Sequence, residues 1–110
     1  MNTTQKVSVI IPTYNRCHLI GSTLNNILDQ TFKDYEIIII DDGSSDNTKK
    51  IIEDFIALNN NYIIKYFYQE NKGIANARNK GIIESKGEFI AFQDDDDRWI
   101  PDKLYKQIKM

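Results

Sequence analysis

The stretch Glu36-Ile37-Ile38-Ile39-Ile40-Asp41-Asp42-Gly43 joins four consecutive isoleucines to two aspartates and a glycine. An apolar run of β-branched residues without alternation is typical of a strand that is covered on both faces. Strands of this kind occur in parallel sheets, where helices pack on each side. Gly43 stands where the chain must turn after the strand. The stretch therefore predicts a buried parallel strand that ends in an acidic turn.

The same order of apolar run, polar loop and amphipathic segment occurs four times along the 110 residues. The remaining strands are predicted at residues 7–11, 63–68 and 88–92, and the segment 63–68 alternates as an edge strand does. Strands that alternate with helices favour parallel pairing with right-handed crossovers. The sequence thus predicts one Rossmann-like α/β domain with three layers, α/β/α, and a mainly parallel sheet.

Helical spacing of apolar residues predicts a helix after each strand, and local signals mark several helix ends. The second helix follows a turn in which Asp46 or Asn47 is suited to cap its first turn. Gly87 is expected to end the third helix in a left-handed cap, and Pro101 is expected to begin the fourth helix. Within the third helix, the small residues Ala75, Ala77 and Gly81 are expected to pack closely on the sheet.

Composition limits the classes of partner and compartment. The net charge of −2 provides no electrostatic footprint for nucleic acid. Cys17 is the only cysteine, so an intrachain disulfide is excluded and a reducing compartment is expected. The sequence has no signal-peptide pattern and no apolar stretch of the ~20 residues that span a bilayer. We expect a soluble cytoplasmic protein, and contact with the inner face of the membrane stays open.

Three polar loops follow predicted strands and should meet at one edge of the sheet, namely residues 12–16, 41–46 and 93–98. In open α/β sheets, ligands bind beyond the carboxyl ends of the strands. An acid such as Asp42 at a strand end can accept hydrogen bonds from ribose hydroxyls or a base N–H. Thr13 and Tyr14 can hydrogen-bond to a base and stack on it. The loops therefore predict a nucleotide site.

Four consecutive aspartates, Asp94 to Asp97, form the most acidic part of the chain. A solvated acidic turn is one interpretation, and a site for a hard divalent cation such as Mg²⁺ or Mn²⁺ is the other. The chain has neither a P-loop nor a Gly-x-Gly-x-x-Gly motif, so phosphates would be held through a metal. Lys72 and Gly73 at a helix N-terminus would also suit an anion. For Arg78, an ion pair and a ligand contact both stay open.

Four motifs in this order closely resemble the family 2 glycosyltransferases with the GT-A nucleotide-sugar fold, and the resemblance runs from Val7 to about Leu104. The motifs are Val-Ser-Val-Ile-Ile-Pro-Thr-Tyr-Asn-Arg at 7–16, the segment 36–48, the segment 71–81, and Asp94 to Asp97 with Trp99, Pro101, Lys103 and Leu104. The last of these looks like the DXD segment of the family.

The resemblance implies a role for individual residues. Asp96 would coordinate Mn²⁺ or Mg²⁺ on the diphosphate. The nucleotide-sugar donor, with a UDP-sugar favoured, would be bound by Pro12, Thr13, Tyr14, Asp42, Lys72, Arg78, Asp94 and Asp95. The reaction would transfer a sugar, with inversion, to a hydroxyl of a glycan or lipid-linked acceptor.

The resemblance also implies what residues 1–110 lack. Family members are longer, and their general base follows the DXD segment. We therefore expect one donor-binding domain, a truncated GT-A fold without the C-terminal acceptor-binding half, in which no catalytic base is assigned. The alternative is a non-catalytic nucleotide- or metal-binding module, or an inactive remnant. A signalling receiver is disfavoured, because its acids would follow the first strand, where this chain has residues 12–15.

Overall fold

The protein forms a four-stranded parallel sheet with helices on both faces. The computed structural model describes residues 5–95 and 97–109. The strand order is β3-β2-β1-β4. The elements are β1 (Val7–Thr13), α1 (Ile20–Leu28), β2 (Tyr35–Asp41), α2 (Thr48–Leu58), β3 (Ile64–Tyr68), α3 (Ile74–Glu84), β4 (Phe89–Phe92) and α4 (Lys103–Lys109). The predicted α/β class, the parallel sheet and the position of the third strand at an edge are confirmed.

The central strands β1 and β2 are buried along their whole length. Alternate side chains of each strand point to opposite faces, so the sheet has two cores. One core joins Val9, Ile11, Ile37 and Ile39 to apolar residues of α1 and α2, and it includes Leu104 of α4. The other core contains Ile10, Ile38, Ile40 and Ala77 of α3. The three predicted layers are therefore present.

Helix α3 lies very close to the sheet because small residues face it. A Cβ atom on Gly81 would lie 2.4 Å from Cγ2 of Ile10, and Ala77 is fully buried. Close packing is thus confirmed for Ala77 and Gly81. The same expectation is wrong for Ala75, which is exposed, because only residues spaced by about four share one helix face. Ile83 is also exposed for this reason.

Gly87 does not form the predicted left-handed cap. Helix α3 ends at Glu84, Ser85 is extended, and the described glycines with positive φ are Gly43 and Gly73. A Cβ atom on Gly87 would lie 2.7 Å from the backbone nitrogen of Ser8. A glycine stands here because the chain passes close to the backbone of β1.

The fourth strand is less buried than the sequence predicts. Phe89, Ile90 and Phe92 are 40–49% exposed. Within the described part of the chain, β4 pairs with β1 along one side and forms an edge of the sheet. An apolar run marks a strand but does not tell which strand lies at an edge. None of the described helices is long and apolar enough to cross a bilayer.

Candidate functional site

An open groove of about 630 Å³ lies at the carboxyl ends of β1 and β2. It is lined by residues of the three loops that the sequence predicts to meet, together with the start of α3. Six of the predicted donor-binding residues line it, namely Pro12, Thr13, Tyr14, Asp42, Asp94 and Asp95. The three loops therefore meet at one groove, as the sequence predicts. Lys72 and Arg78 are neighbours of lining residues rather than part of the lining.

The loops after β1 and β2 hold each other through hydrogen bonds. Asn15 has a positive φ of 51°, and its Oδ1 accepts a hydrogen bond from the N–H of Ser45 at 2.8 Å. The N–H of Asn15 donates in turn to Oγ of Ser44 at 2.8 Å. Asparagine tolerates this left-handed conformation better than most residues. Its role was not predicted, although an Asn in a loop after a strand is a recognisable turn signal.

Helix α2 begins with a capping interaction that also reaches the first loop. Oδ1 of Asp46 accepts a hydrogen bond from the N–H of Thr48 at 2.9 Å, and Oδ2 accepts one from the N–H of Cys17 at 3.2 Å. Burial alone would raise the pKa of Asp46, but the hydrogen bonds from Thr48 and Cys17 lower it to about 2. Capping by Asp46 is confirmed. The side chain of Asn47 makes no capping hydrogen bond.

Asp41 stabilises the turn rather than facing the groove. Its Oδ2 accepts a hydrogen bond from the hydroxyl of Tyr66 at 2.6 Å, and its Oδ1 accepts one from the N–H of Ser44 at 2.9 Å. Burial, together with the neighbouring Asp41 carboxylate, raises the pKa of Tyr66 far above its usual value. The tyrosine therefore stays protonated and keeps donating to Asp41.

Asp42 lines the groove and also holds the chain before α3. Its Oδ1 accepts hydrogen bonds from Nε2 of Gln69 at 2.9 Å and the N–H of Lys72 at 2.8 Å, and its Oδ2 accepts one from the N–H of Gly73 at 2.9 Å. Burial would raise the pKa of Asp42, but these three hydrogen bonds lower it below its usual value. A carboxylate has about four acceptor positions. The described donors occupy three of them, two on Oδ1 and one on Oδ2.

The same contacts change the interpretation of Lys72 and Gly73. Their backbone N–H groups were expected to suit an anion at the N-terminus of α3. They donate instead to the carboxylate of Asp42, which is the anion that the helix start binds. Any contact of Lys72 with a phosphate must therefore come from its side chain.

Asp94 and Asp95 each have an arginine partner. Nη2 of Arg78 lies 3.2 Å from Oδ1 of Asp94, and Nε of Arg16 lies 3.4 Å from Oδ1 of Asp95. The hydroxyl of Thr13 donates a second hydrogen bond to Asp95, to its Oδ2 at 3.1 Å. The ion-pair interpretation of Arg78 is thus confirmed. Arg16 was not predicted as a site residue, because its partner lies 79 positions away.

The donor chemistry of this pair fits a hard divalent cation, which prefers carboxylate oxygens. The Asp95 side chain is 13% exposed and the Asp94 side chain 47%. A freely solvated turn therefore describes Asp94 better than Asp95. Asp96, the predicted metal ligand, lies outside the described residues. Among the residues that the structure describes, no group of three or more His, Cys, Asp or Glu side chains is arranged to hold a metal.

Comparison with known proteins links this arrangement to a family. The model of glycosyl transferase family 2 matches residues 8–110. The putative teichuronic acid biosynthesis glycosyltransferase TuaG of Bacillus subtilis is 41% identical over 103 residues, which cover 94% of this chain and 40% of that protein. The UDP-Glc:alpha-D-GlcNAc-diphosphoundecaprenol beta-1,3-glucosyltransferase WfgD of Escherichia coli is 42% identical over 105 residues, with 94% and 40% covered.

A solved structure agrees with the fold. The mannosyltransferase PcManGT from Pyrobaculum calidifontis, in complex with GDP-Man and Mn²⁺, superposes with a TM-score of 0.91 at 28% identity. The alignment covers 96% of this chain and 32% of the mannosyltransferase. The chain spans about two fifths of the length of the two curated relatives.

Proposed function

Because the chain belongs to glycosyl transferase family 2, we propose that its groove binds the nucleotide-sugar donor of a glycosyl transfer reaction, with a divalent cation on the diphosphate. The observation that carries the proposal is the make-up of the groove. Asp42 lines it at the end of β2, and the acid pair Asp94 and Asp95 lines it after β4. One ligand with a hydrogen-bonding nucleoside and a charged diphosphate suits both groups.

In this proposal the nucleoside lies against Pro12, Tyr14 and Asp42. Tyr14 is 47% exposed, so its ring is accessible for stacking on a base. The remaining acceptor position of Asp42 accepts a hydrogen bond from the base or ribose. Three protein hydrogen bonds hold that carboxylate in place before the ligand arrives, which lowers the entropic cost of binding.

In this proposal the diphosphate lies at the acids that follow β4. Asp94, Asp95 and the predicted ligand Asp96 hold Mn²⁺ or Mg²⁺, and Mn²⁺ is the ion present with the mannosyltransferase. A bound cation stabilises the negative charge that grows on a departing diphosphate. Arg16 and Arg78 already neutralise the two acids, and they supply positive charge beside the phosphates, as does the side chain of Lys72.

We further propose a UDP-sugar as donor, because the Escherichia coli relative is named for UDP-Glc. Its name also specifies a diphosphoundecaprenol-linked acceptor, which supports a lipid-linked or glycan hydroxyl as acceptor and a place at the inner face of the membrane. In this proposal residues 1–110 form the donor-binding unit. The acceptor site and the base for an inverting displacement correspond to the part of the relatives that this chain does not match.

Calorimetric titration of UDP with and without Mn²⁺ tests the proposal. Wild-type protein should bind UDP in the presence of Mn²⁺ and much more weakly without it. Asp95→Asn and Asp96→Asn should each weaken metal-dependent binding by about tenfold or more. Asp54→Asn, which removes an exposed acid on α2, is the matched control and should bind like wild type. Equal affinity with and without Mn²⁺ would show that the metal assignment is wrong, and GDP that competes better than UDP would contradict the proposed donor.

A further inference from the structure

Helix α1 presents polar side chains to the backbone that follows β4. The hydroxyl of Thr23 donates a hydrogen bond to the backbone carbonyl of Asp95 at 2.6 Å. Thr23 is fully buried, so no solvent competes for this bond. The contact acts on the main chain of an acid that lines the groove, rather than on its carboxylate.

Asn26, one helical turn further on, holds the main chain of Trp99 through two hydrogen bonds, one donated and one accepted. Its Nδ2 donates to the carbonyl of Trp99 at 3.0 Å, and its Oδ1 accepts from the N–H of Trp99 at 2.7 Å. Nε2 of Gln93, the residue before the aspartates, also donates to Oδ1 of Asn26 at 3.3 Å. Asn26 therefore contacts the chain on both sides of the aspartates.

Gln30, just past the end of α1, repeats this arrangement. Its Nε2 donates to the carbonyl of Ile100 at 2.7 Å, and its Oε1 accepts from the N–H of Leu104 at 3.0 Å. Gln30 is fully buried. An apolar residue at this position would bury as much surface, but it would leave these backbone groups without their partners. The polar side chain is therefore needed for a defined path of the backbone.

We propose that Thr23, Asn26 and Gln30 are positioning residues that hold the segment 94–104 so that its acids bind the cation and diphosphate of the donor. This inference rests on the proposed function. The three side chains make five hydrogen bonds to the backbone of that segment. Thr13 fixes the carboxylate of Asp95 from the strand side, while Thr23 fixes its carbonyl from the helix side. Asp95 is thus held at both ends.

The test uses two substitutions of Thr23. Thr23→Val keeps the shape and loses the hydroxyl, whereas Thr23→Ser keeps the hydroxyl. Tyr35→Phe is the matched control, because it removes a buried hydroxyl that donates to the carbonyl of Ile27 near the other end of α1. Affinity for Mn²⁺ with UDP should fall about tenfold in Thr23→Val and stay close to wild type in Thr23→Ser and Tyr35→Phe.

A second measurement needs no ligand. Trp99 is the only tryptophan and is 7% exposed, so quenching of its fluorescence by acrylamide reports the position of the segment. Quenching in the metal-free protein should rise in Thr23→Val and in Asn26→Asp, which loses the donor to Trp99, but not in Tyr35→Phe. If Thr23→Val fails to fold, Asn26→Asp carries both measurements.

The outcomes separate this inference from the proposed function. Wild-type protein that does not bind Mn²⁺ with UDP refutes the proposed function, whatever the variants do. Wild-type binding that is matched by Thr23→Val and Asn26→Asp overturns the positioning role alone. An equal loss in Thr23→Val and Tyr35→Phe also overturns it, because a general loss of stability then accounts for the effect.

Discussion

Thr13 donates a hydrogen bond to Asp95 across the end of the sheet, although 82 residues separate them in sequence. The bond follows from the register of β1 and β4, in which Ile10 pairs with Phe92. Three residues after this pair, the two parallel segments reach Thr13 and Asp95. On the other side of β1, Thr13 pairs with Asp41. The register of three parallel strands therefore places the acidic turn after β2 and the acids after β4 on either side of one threonine.

Arg16→Gln should change metal binding and nucleotide binding in opposite directions. Arg16 pairs with Asp95 in the metal-free protein and would compete with a cation for it. Its removal should therefore tighten binding of Mn²⁺ alone by about two- to fivefold, a modest effect because the Arg16 side chain is 45% exposed. The same change removes positive charge beside the diphosphate and should weaken UDP binding with Mn²⁺. Manganese titration followed by electron paramagnetic resonance, and calorimetry with UDP, measure the two effects. Lys50→Gln, which breaks an exposed pair on α2, is the control. A parallel change in both affinities would refute the competing role.

The sequence predicted the composition of the groove better than its internal contacts. Runs of Ile and Val mark β1 and β2, and polar residues follow them directly, so the loops at one edge could be identified. The order of the strands could not, because residues 88–92 carry no signal that they pair with β1 rather than with β3. Contacts such as the one between Thr13 and Asp95 depend on that order, so they could not be predicted from the sequence.

Gly87 and Asp42 show a second limit of the sequence. A glycine after a helix predicts a left-handed cap, but Gly87 is required by the backbone of Ser8, 79 residues earlier. An acid after a strand predicts a ligand contact, but Asp42 is held mainly by the chain at Gln69, Lys72 and Gly73. In both cases the residue is explained by contacts with a segment that is distant in sequence, which the local pattern does not reveal.

Gly43→Ala should destabilise the protein more than Gly73→Ala. Both glycines have a positive φ, 90° and 96°, which costs an alanine about 1–3 kcal/mol. A Cβ atom on Gly43 would also lie 2.8 Å from the backbone nitrogen of Asn71, whereas nothing lies within 4 Å of one on Gly73. The additional clash should make the difference in unfolding free energy measurable by urea denaturation. Equal losses for the two variants would mean that the loop at Asn71 moves away without cost.

Asp42→Ala should loosen the chain before α3 and make stability less dependent on pH. The substitution leaves the N–H groups of Lys72 and Gly73 without their acceptor, which should cost about 2 kcal/mol. The pKa of Asp42 is lowered in the folded protein, so its contribution is present above the ordinary value of 3.8 and is lost as pH falls through the lower folded value. Urea denaturation between pH 3 and pH 7 measures both effects. The difference between wild type and variant should be smaller at pH 3 than at pH 7, and a constant difference would contradict the assignment.

Glu36 should matter for stability and not for the groove, because it lies at the opposite end of β2. It is 2% exposed, and it accepts hydrogen bonds from the hydroxyl of Ser8 at 2.6 Å and the N–H of Lys86 at 2.8 Å. Nζ of Lys65 lies 2.9 Å from its other oxygen. Glu36→Gln keeps one acceptor oxygen and should cost about 1 kcal/mol. Glu36→Leu leaves the donors of Ser8, Lys86 and Lys65 without an acceptor and should cost about 3 kcal/mol.

The pH dependence of Glu36 has the sign expected for a stabilised carboxylate. Burial would raise the pKa, but hydrogen bonds from Ser8 and Lys86 and the nearby Lys65 lower it below 4.5. The stabilising contribution is therefore complete above 4.5 and is lost as pH falls through the folded value. Thermal unfolding of both variants at pH 3 and pH 7 should show a larger loss at pH 7. Affinity for UDP with Mn²⁺ should equal that of wild type wherever the variants are folded. A weakened affinity in the folded Glu36→Gln variant would show that this end of the sheet is coupled to the groove.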